Sequence, residues 1–362
     1  MVGRVLERIL MGPGPCNPYP EATEALARPL LGHLDPVFLQ ILDETCGRLR
    51  TVFRTSNART LPISGTGSAG MEAAFVNTVS AGDTVIVAVN GLFGERMCDV
   101  AQRCGARVVR VDAPWGSPLD PEDVLAAASA AGAKVIAAVH AETSTGVRND
   151  IAALGRGKGD ALLLMDCVTS IGGIPVEVDA WGVDIAYAGT QKCLGVAPGL
   201  APLTINDRAW AQRNEHPQSW YLDLGMIGEY TSGAGGRKYH HTAPVAMVAS
   251  LHGGLGALLE EGLEASWARH AACGQALQDG LEAMGLSLFA AAGSRLPELT
   301  TVRVPEGVDS AAVRASLLAD YGIEIGGGVK EYAATVWRVG CMGHTARLRN
   351  VTLLLAALGS VL

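Results

Sequence analysis

Apolar segments of strand length alternate with helical stretches between residues 70 and 205 of this 362-residue chain. Strands are predicted near residues 84–89, 106–111, 134–139, 160–166, 183–188 and 201–205. Helices are predicted near residues 70–79, 94–105 and 120–131. This order of elements predicts a mainly parallel α/β sheet. With 49% hydrophobic residues, the chain can bury a substantial core and could form two domains.

A lysine follows one of these predicted strands. Lys192 lies just beyond the apolar segment 183–188 and just before a turn rich in glycine and proline, residues 195–199. Partial burial at such a junction disfavours the ammonium and leaves an amine able to form a Schiff base with an aldehyde cofactor. A lone lysine is more often a solvated surface charge, so the interpretation depends on its companions.

An aspartate ends the preceding strand. Asp166 follows the apolar segment 161–165, whose composition is typical of a parallel strand buried on both faces. Ligands bind at the carboxyl edge of open α/β sheets, and a buried carboxylate there needs a cationic partner such as a protonated pyridine nitrogen. The alternative is that Asp166 caps a helix. The lysine one βαβ unit later favours the cofactor interpretation.

Glycine and hydroxyl residues open a helical stretch between Ser64 and Ala74. Free backbone N–H groups, the helix dipole and short hydroxyl side chains together suit a phosphate dianion. The segment is not a P-loop, because the Gly-Lys-Ser/Thr ending is absent, and it fits the dinucleotide fingerprint poorly. A glycine-rich loop can also be no more than a tight turn.

Two further strands deliver candidate residues to the same edge. Phe93 lies on a glycine-flanked turn after the strand near 84–89, where its ring could stack on a planar cofactor or pack in the core. Thr143 and Ser144 follow the strand near 134–139 and could donate to a ring hydroxyl or phosphate, or cap the following helix. His140 is expected to be a structural histidine with its hydrogen bonds satisfied.

Charge and cysteine usage narrow the class of protein. A formal net charge of −8 without a Lys/Arg run argues against nucleic acid or an anionic membrane as a main partner. The amino terminus lacks the apolar core of a signal peptide, and no run approaches the length of a membrane span. The eight cysteines contain no Cys-x-x-Cys pair, which favours reduced thiols over disulfides or zinc. We therefore expect a cytoplasmic protein.

The apolar spacing changes after about residue 245. A long helix is indicated there, broken near Gly262 and resumed as far as Leu281. A smaller α/β unit is predicted to follow, with a strand from Leu299, a helix over 310–321, a strand around Trp337 and a terminal helix from Thr345 onward.

Taken together, these motifs resemble the class V, fold type I pyridoxal-phosphate aminotransferases, in the alanine–glyoxylate and serine–pyruvate branch. The resemblance covers nearly the whole chain. It is carried by residues 12–15, 32–38, the Ser64 glycine loop, 90–96, 140–147, 166–173, 191–192, 239–244 and 337–343.

The resemblance implies an α/β fold with a mainly parallel, seven-stranded sheet in a large domain and a smaller C-terminal α/β domain. It implies an N-terminal segment, residues 1–20, that lines the active-site entrance. The large cofactor-binding domain would span residues 21–245. The small domain, 246–362, would begin with a long connecting helix.

The resemblance also implies roles at a pyridoxal 5'-phosphate site. Lys192 would be the Schiff-base lysine and proton shuttle, and Asp166 the partner of the pyridine nitrogen. Phe93, Val168 and Thr143 would contact the cofactor ring, the first two on opposite faces. The phosphate would be held by Gly67, Ser68 and Gln191. Some family members carry histidine in place of Ser68 and tryptophan in place of Phe93, so the resemblance predicts fewer phosphate contacts and a smaller stacking area here.

Substrate and partner residues are implied in the same way. Arg338 would bind the substrate carboxylate, since a guanidinium presents a rigid fork matched to a carboxylate. Gly14 lies in the loop that would border a short substrate pocket. Tyr239 and Thr242 would reach the phosphate of a neighbouring subunit, which implies a homodimer with shared active sites.

The implied activity is ping-pong transfer of an amino group from alanine or serine to glyoxylate or pyruvate. An alternative is the same chemistry on a specialised donor: pyridoxamine, ureidoglycine or a secondary-metabolite intermediate. A carbon–sulfur lyase or desulfurase is a rival, although such enzymes commonly carry histidine where this chain has Gln191, and they need an exposed nucleophilic cysteine. A non-catalytic cofactor-binding protein is a further rival.

Overall fold

The computed structural model describes residues 7–231 and 236–362. Residues 1–6 of the predicted N-terminal segment lie outside these ranges. The strands in the described ranges are β1 (Ile9–Leu10), β2 (Arg59–Ser64), β3 (Thr84–Val89), β4 (Arg107–Asp112), β5 (Val135–Val139), β6 (Ala141–Glu142), β7 (Val147–Arg148), β8 (Leu162–Asp166), β9 (Ile185–Tyr187), β10 (Leu200–Ile205), β11 (Leu299–Arg303), β12 (Ile323–Glu324), β13 (Gly326–Gly327) and β14 (Val336–Gly340).

The α-helices in the same ranges are α1 (Pro20–Leu26), α2 (Pro36–Phe53), α3 (Gly67–Thr78), α4 (Leu92–Arg103), α5 (Pro121–Ala131), α6 (Ile151–Gly157), α7 (Asp207–Ala211), α8 (Leu224–Thr231), α9 (Val245–Glu261), α10 (Leu263–Ala283), α11 (Ser310–Tyr321) and α12 (Leu348–Val361). Short 3₁₀ turns at Lys330–Tyr332 and Gly343–Thr345 flank β14.

A seven-stranded sheet forms the centre of the molecule, in the order β2-β10-β9-β8-β5-β3-β4. Neighbours from β9 to β4 pair in parallel, whereas β10 runs antiparallel to both β2 and β9. The predicted mainly parallel α/β fold is therefore confirmed. All residues of β5 and β8 are buried, as expected for strands covered by helices on both faces.

The sequence patterns did not predict β2. This strand lies at an edge of the sheet and contains Pro62, which pairs with Pro202 of β10. Proline within a run argues against a central strand, but an edge strand tolerates it because one side of the edge needs no donor. The edge position explains why a segment with Arg59 and Thr60 still forms a strand.

The C-terminal part of the chain has its own apolar cluster, which includes Trp337, Leu277 and Leu354. Its sheet has the order β11-β14-β13, and α10, α11 and α12 pack around it. Helices α9 and α10 meet at Gly262, whose φ of 88° lies in the region that favours glycine. Helix α9, which is predicted to open the small domain, packs against α1 and α2 of the large one. The domain division between residues 245 and 246 therefore stays a prediction.

The N-terminal segment joins the two parts of the chain. Strand β1 pairs in parallel with β12 of the C-terminal part. Farther along, Cys16 N donates to Gln191 O at 3.0 Å, in the loop that follows β9 of the large sheet and carries Lys192. Within the described ranges, no helix combines the length and the apolar character needed to cross a membrane.

Candidate active site

A cavity of about 210 Å³ opens at the carboxyl edge of the seven-stranded sheet. Eight of the twelve residues predicted for the site line it: Gly67, Ser68, Phe93, Thr143, Asp166, Val168, Gln191 and Lys192. The remaining lining residues are Thr66, Met71, Arg96, Val139, Ala141 and Thr169. Residues from five loops or helix starts thus meet at one edge, as the parallel strand order requires.

Lys192 is nearly buried, with 8% of its surface exposed. Burial lowers the pKa of its amine to about 8, and the positive charge of Arg338 acts in the same direction. The amine donates to the Pro13 carbonyl oxygen. The backbone is fixed as well, because Lys192 O accepts from Gly195 N at 2.9 Å and from the Cys16 thiol at 3.1 Å. The amine is therefore positioned and more often neutral at pH 7 than an exposed lysine.

Asp166 ends β8 with its side chain buried. Burial raises its pKa to about 6, although two donors favour the carboxylate. Val168 N donates to Oδ1 and the Tyr187 hydroxyl donates to Oδ2, each at 2.8 Å. The pairing of β8 with β9 sets Asp166 opposite Tyr187, so the second donor follows from the sheet register. Sequence reasoning did not single out Tyr187, because register cannot be read from one strand alone.

The glycine loop opens α3 at the side of the cavity. Thr66 is the N-cap residue but makes no side-chain capping hydrogen bond. A methyl group on Gly67 would lie 2.9 Å from Val168 Cγ2, so the absence of a side chain keeps this approach open. Gln191 Oε1 is buried and has no hydrogen-bond partner in the described parts of the chain. The oxygen and nitrogen of a glutamine amide can exchange places by a flip of the side-chain amide. Gln191 can therefore turn its NH₂ group, a hydrogen-bond donor, toward an anion here.

The first turn of α4, which carries Phe93, is capped from β6. Leu92 N donates to Ser144 Oγ at 2.9 Å, and Phe93 N donates to Glu142 Oε2 at 3.1 Å. The Ser144 hydroxyl in turn donates to Glu142 Oε1 at 2.6 Å. Burial raises the pKa of Glu142 to about 7. Ser144 thus caps α4 rather than the following helix, while Thr143 lines the cavity.

Arg96 is a lining residue that the sequence analysis did not assign. Its Nη1 donates to Ser68 Oγ at 3.0 Å. Its guanidinium carbon lies over the Phe93 ring, 4.8 Å from the ring centroid. Phe93 and Arg96 are three positions apart on one helix, a spacing that places side chains on the same face. That spacing is the signal that could have added Arg96 to the predicted site.

Arg338 and Gly14 lie beside Lys192 rather than in the cavity lining. Arg338 belongs to β14, is half-buried, and donates from Nε to Gly327 O at 2.7 Å. Burial lowers its pKa, and its charge lowers the pKa of Lys192. Gly14 has a φ of 102°, and a side-chain carbon there would lie 2.6 Å from Lys192 Nζ. Only glycine fits this approach.

Tyr239 and Thr242 are also outside the cavity lining. Tyr239 is 58% exposed, and its hydroxyl lies 3.3 Å from Thr242 Oγ1. Their assigned role at a neighbouring subunit's phosphate stays a prediction.

His140 differs from its expected role. It is buried beside Trp181, with ring centroids 5.1 Å apart, and burial lowers its pKa to about 3. Its Nδ1 has no hydrogen-bond partner among the described residues, so the expected satisfied histidine is wrong in this respect. Burial against Trp181 favours the neutral imidazole, but the contact supplies no hydrogen-bond partner for Nδ1.

A buried lysine and a buried aspartate face one cavity at the carboxyl edge of this sheet, and the fold is that of the fold type I aminotransferases. The chain belongs to the class-V aminotransferase family, whose model matches residues 19–347.

Relatives match along nearly the entire chain. An (S)-ureidoglycine–glyoxylate transaminase of Bacillus subtilis is 38% identical over 98% of this chain and 90% of its own length. The crystal structure of an alanine–glyoxylate aminotransferase from Nostoc sp. superposes with a TM-score of 0.95 at 43% identity, covering 100% of this chain and 97% of the other. That of a pyridoxamine–pyruvate aminotransferase from Mesorhizobium loti has a TM-score of 0.93 at 31% identity, covering 100% and 93%.

Proposed function

We propose that this protein is a pyridoxal 5'-phosphate-dependent aminotransferase that moves the amino group of alanine or serine to glyoxylate or pyruvate. The observation that carries the proposal is the pairing of Lys192 and Asp166 at one buried cavity. Burial gives the first an amine that is partly neutral at pH 7. In the second, hydrogen bonds from Val168 N and the Tyr187 hydroxyl hold the carboxylate in place and favour its ionised form against the effect of burial. These are the two groups that an aldehyde cofactor with a basic ring nitrogen requires.

The residues of the cavity fit this cofactor. The backbone at Gly67, which has no side chain to block it, and the unpartnered amide of Gln191 suit the phosphate of this cofactor. Phe93 and Val168 line the space that a planar ring would fill, and Thr143 lies beside it. Bound at Lys192, pyridoxal phosphate supplies the electron sink that makes the substrate α-proton acidic.

The chain itself binds, orients and moves protons. Lys192 Nζ would hold the cofactor through its aldehyde group, and the same amine would hold and move the substrate α-proton. Asp166 would hold the ring nitrogen, and a cation at that nitrogen would favour the ionised carboxylate. Arg338 holds the substrate carboxylate, which orients the α-carbon toward the lysine. The same residues serve both half-reactions, as ping-pong transfer requires.

The approach of Gly14 and Pro13 to Lys192 narrows the space next to its amine, which favours a small substrate. The names of the relatives leave a second candidate, in which ureidoglycine or pyridoxamine is the amine donor.

The desulfurase rival has little support in this chain. Such an enzyme needs an exposed, reactive thiol. All eight cysteines are buried and free. Burial raises the pKa of Cys341, the cysteine nearest in sequence to Arg338, well above its ordinary range.

The proposed assembly is a homodimer with shared active sites. Tyr239 is exposed together with other large apolar side chains of the region, among them Trp220 at 59% and Leu34 at 51%. Tyr239 also lies close to His33, with ring centroids 5.2 Å apart. Exposed apolar and aromatic side chains of this kind are typical of a protein interface. The proposed compartment is the cytoplasm, where free buried thiols such as these stay reduced.

A substrate screen on the cofactor-loaded protein tests the proposed function. Amino donors are added singly, and loss of the cofactor's visible absorbance is followed. Bleaching by alanine or serine and recovery with glyoxylate or pyruvate is the expected result. Bleaching only by ureidoglycine or pyridoxamine would select the second candidate.

Substitution of the lysine tests the mechanism. We expect Lys192→Ala to abolish turnover and the visible absorbance of the bound cofactor. Lys134→Arg is the matched control, because Lys134 pairs with Asp83 before β5, at the opposite end of the strand from the site, and arginine can keep that ion pair. Normal turnover by Lys192→Ala would refute the proposed role of this lysine.

A further inference from the structure

Arg96 is a cation of the active-site cavity without an assigned role. It is one of the residues that line the space around Lys192 and Asp166. Among the described residues that form this lining, Lys192 and Arg96 are the two basic ones. The amine of Lys192 is needed for bonding to the cofactor, which leaves the guanidinium of Arg96 to balance an anion.

The guanidinium of Arg96 is held between two parts of the predicted cofactor site. On one side it donates to Ser68 Oγ at 3.0 Å, in the first turn of α3. On the other it lies over the Phe93 ring at 4.8 Å. A cation over an aromatic face is attracted to it, so the ring limits the directions in which the guanidinium can point. Arg96 is thus fixed at the end of the cavity where the glycine loop opens.

The groups predicted for the phosphate carry no charge of their own. Gly67 offers a backbone N–H, Ser68 a hydroxyl and Gln191 an amide. A phosphate dianion in a partly buried cavity needs a positive charge to balance it. Arginine is well suited to this, since its planar fork makes short, charge-assisted hydrogen bonds to phosphate oxygens.

We propose that Arg96 binds the phosphate of the cofactor and supplies the positive charge that the cradle of Gly67, Ser68 and Gln191 lacks. The inference rests on the proposed function, because the phosphate belongs to the proposed cofactor. A competing role is positional: through its contact with Phe93, Arg96 would only orient the ring that covers the cofactor. The two roles differ in which part of the cofactor depends on Arg96.

A comparison of two ligands separates these roles. Pyridoxal 5'-phosphate and pyridoxal, which lacks the phosphate, are titrated into cofactor-free wild type, Arg96→Gln and Arg96→Lys, and their affinities are measured by absorbance. We expect Arg96→Gln to lower the affinity for pyridoxal phosphate roughly ten- to a hundredfold, which corresponds to the loss of one charge-assisted hydrogen bond. Pyridoxal should bind with unchanged affinity. Arg96→Lys should lose less, because the charge remains while the fork is lost.

Arg103→Gln is the matched control. Arg103 lies on the same helix, is mostly exposed and pairs with Asp99 at 3.0 Å. Its replacement should leave both affinities unchanged.

An equal loss of affinity for both ligands would overturn the inference in favour of a positional role, and an unchanged affinity for pyridoxal phosphate would overturn it outright. If Arg96→Gln does not fold, the same comparison with Arg96→Lys decides by the same criteria. Wild type that binds neither ligand would refute the proposed function itself, whatever the variants do.

Discussion

At the scale of single residues, Tyr187 controls the charge of Asp166. Its hydroxyl donates to Oδ2 at 2.8 Å, while Val168 N holds the other carboxylate oxygen. Both donors favour the ionised carboxylate and oppose the effect of burial, which raises the pKa. Tyr187 is therefore a positioning residue for Asp166, and through it for the proposed cofactor.

Replacing Tyr187 by phenylalanine should change the pH dependence of the cofactor site. Loss of one donor to the carboxylate raises the pKa of Asp166 above its present value of about 6. We expect a shift of about one pH unit, since a hydrogen bond to a charged group is worth about 1.5 kcal/mol. Asp166 is then protonated over a wider acidic range, so the affinity of the cofactor-free protein for pyridoxal phosphate should begin to fall at higher pH. Titrations from pH 5 to 8 measure the shift.

Tyr230→Phe is the control for this experiment. Tyr230 is also a buried tyrosine, but its hydroxyl donates to the His33 carbonyl at 2.6 Å rather than to Asp166. The same pH dependence in wild type and in the Tyr187→Phe variant would show that the hydroxyl does not govern Asp166.

The residues of the site were predictable where strand ends carry the signal. Lys192 and Asp166 could be found because each directly follows an apolar segment. Tyr187 was hidden inside such a segment, and its role depends on the register between β8 and β9. The position of Arg338 next to Lys192 likewise depends on how the C-terminal sheet packs, which periodicity does not reveal.

At the scale of elements, the beginning of α4 depends on residues from β6 and the turn that follows it. Glycine at position 91 provides no side chain to cap this helix. Ser144 and Glu142 take over that function from another element. The orientation of Phe93 is therefore coupled to the loop that also brings Thr143 to the cavity.

Ser144→Ala should destabilise the protein and loosen this helix start. The variant leaves Leu92 N without its acceptor and Glu142 without its closest donor. We expect the free energy of unfolding to fall by about 1–2 kcal/mol, the usual effect of removing a helix cap. Urea unfolding of the cofactor-free protein measures the change. Affinity for pyridoxal should also fall, because Phe93 is less well held.

Ser129→Ala serves as the control. Ser129 is exposed on α5, where alanine is the better helix former. This variant should be as stable as wild type or slightly more so. If Ser144→Ala has the same free energy of unfolding as wild type, the cap contributes nothing to stability.

Elements were predictable in proportion to their apolar content. The buried strands β3, β5 and β8 lie within a residue or two of their predicted positions, because runs of valine, leucine and isoleucine dominate them. Helix α3 begins at Gly67, three residues before the predicted start at residue 70, since its first turn contains two glycines and a serine, which propensity assigns to a loop.

At the scale of the whole molecule, the proposed dimer predicts that active sites can be rebuilt from two defective chains. Tyr239→Ala lacks the residue proposed to reach across the interface, and Lys192→Ala lacks the residue proposed to bind the cofactor. Each variant alone should be nearly inactive. After dissociation and random reassociation of equal amounts, half of the dimers are mixed, and one of their two sites is intact. Recovery of roughly a quarter of wild-type activity is expected.

The complementation has a direct control. Lys192→Ala mixed with a double variant, Lys192→Ala and Tyr239→Ala, contains no intact lysine and should stay inactive. Tyr239→Ala that is fully active alone, or a mixture with no recovery from chains that do reassociate, would argue against shared sites. Size-exclusion chromatography of each protein establishes that dimers are present.

The contact between the Pro13 carbonyl and the Lys192 amine also determines where the protein can be tagged or immobilised. A tag or surface anchor inserted next to Pro13 would disturb the carbonyl that accepts from the Lys192 amine. Leu362 is 49% exposed and follows α12, which packs on α10 and α11 instead. An anchor joined after α12 therefore leaves the contact between Pro13 and Lys192 in place.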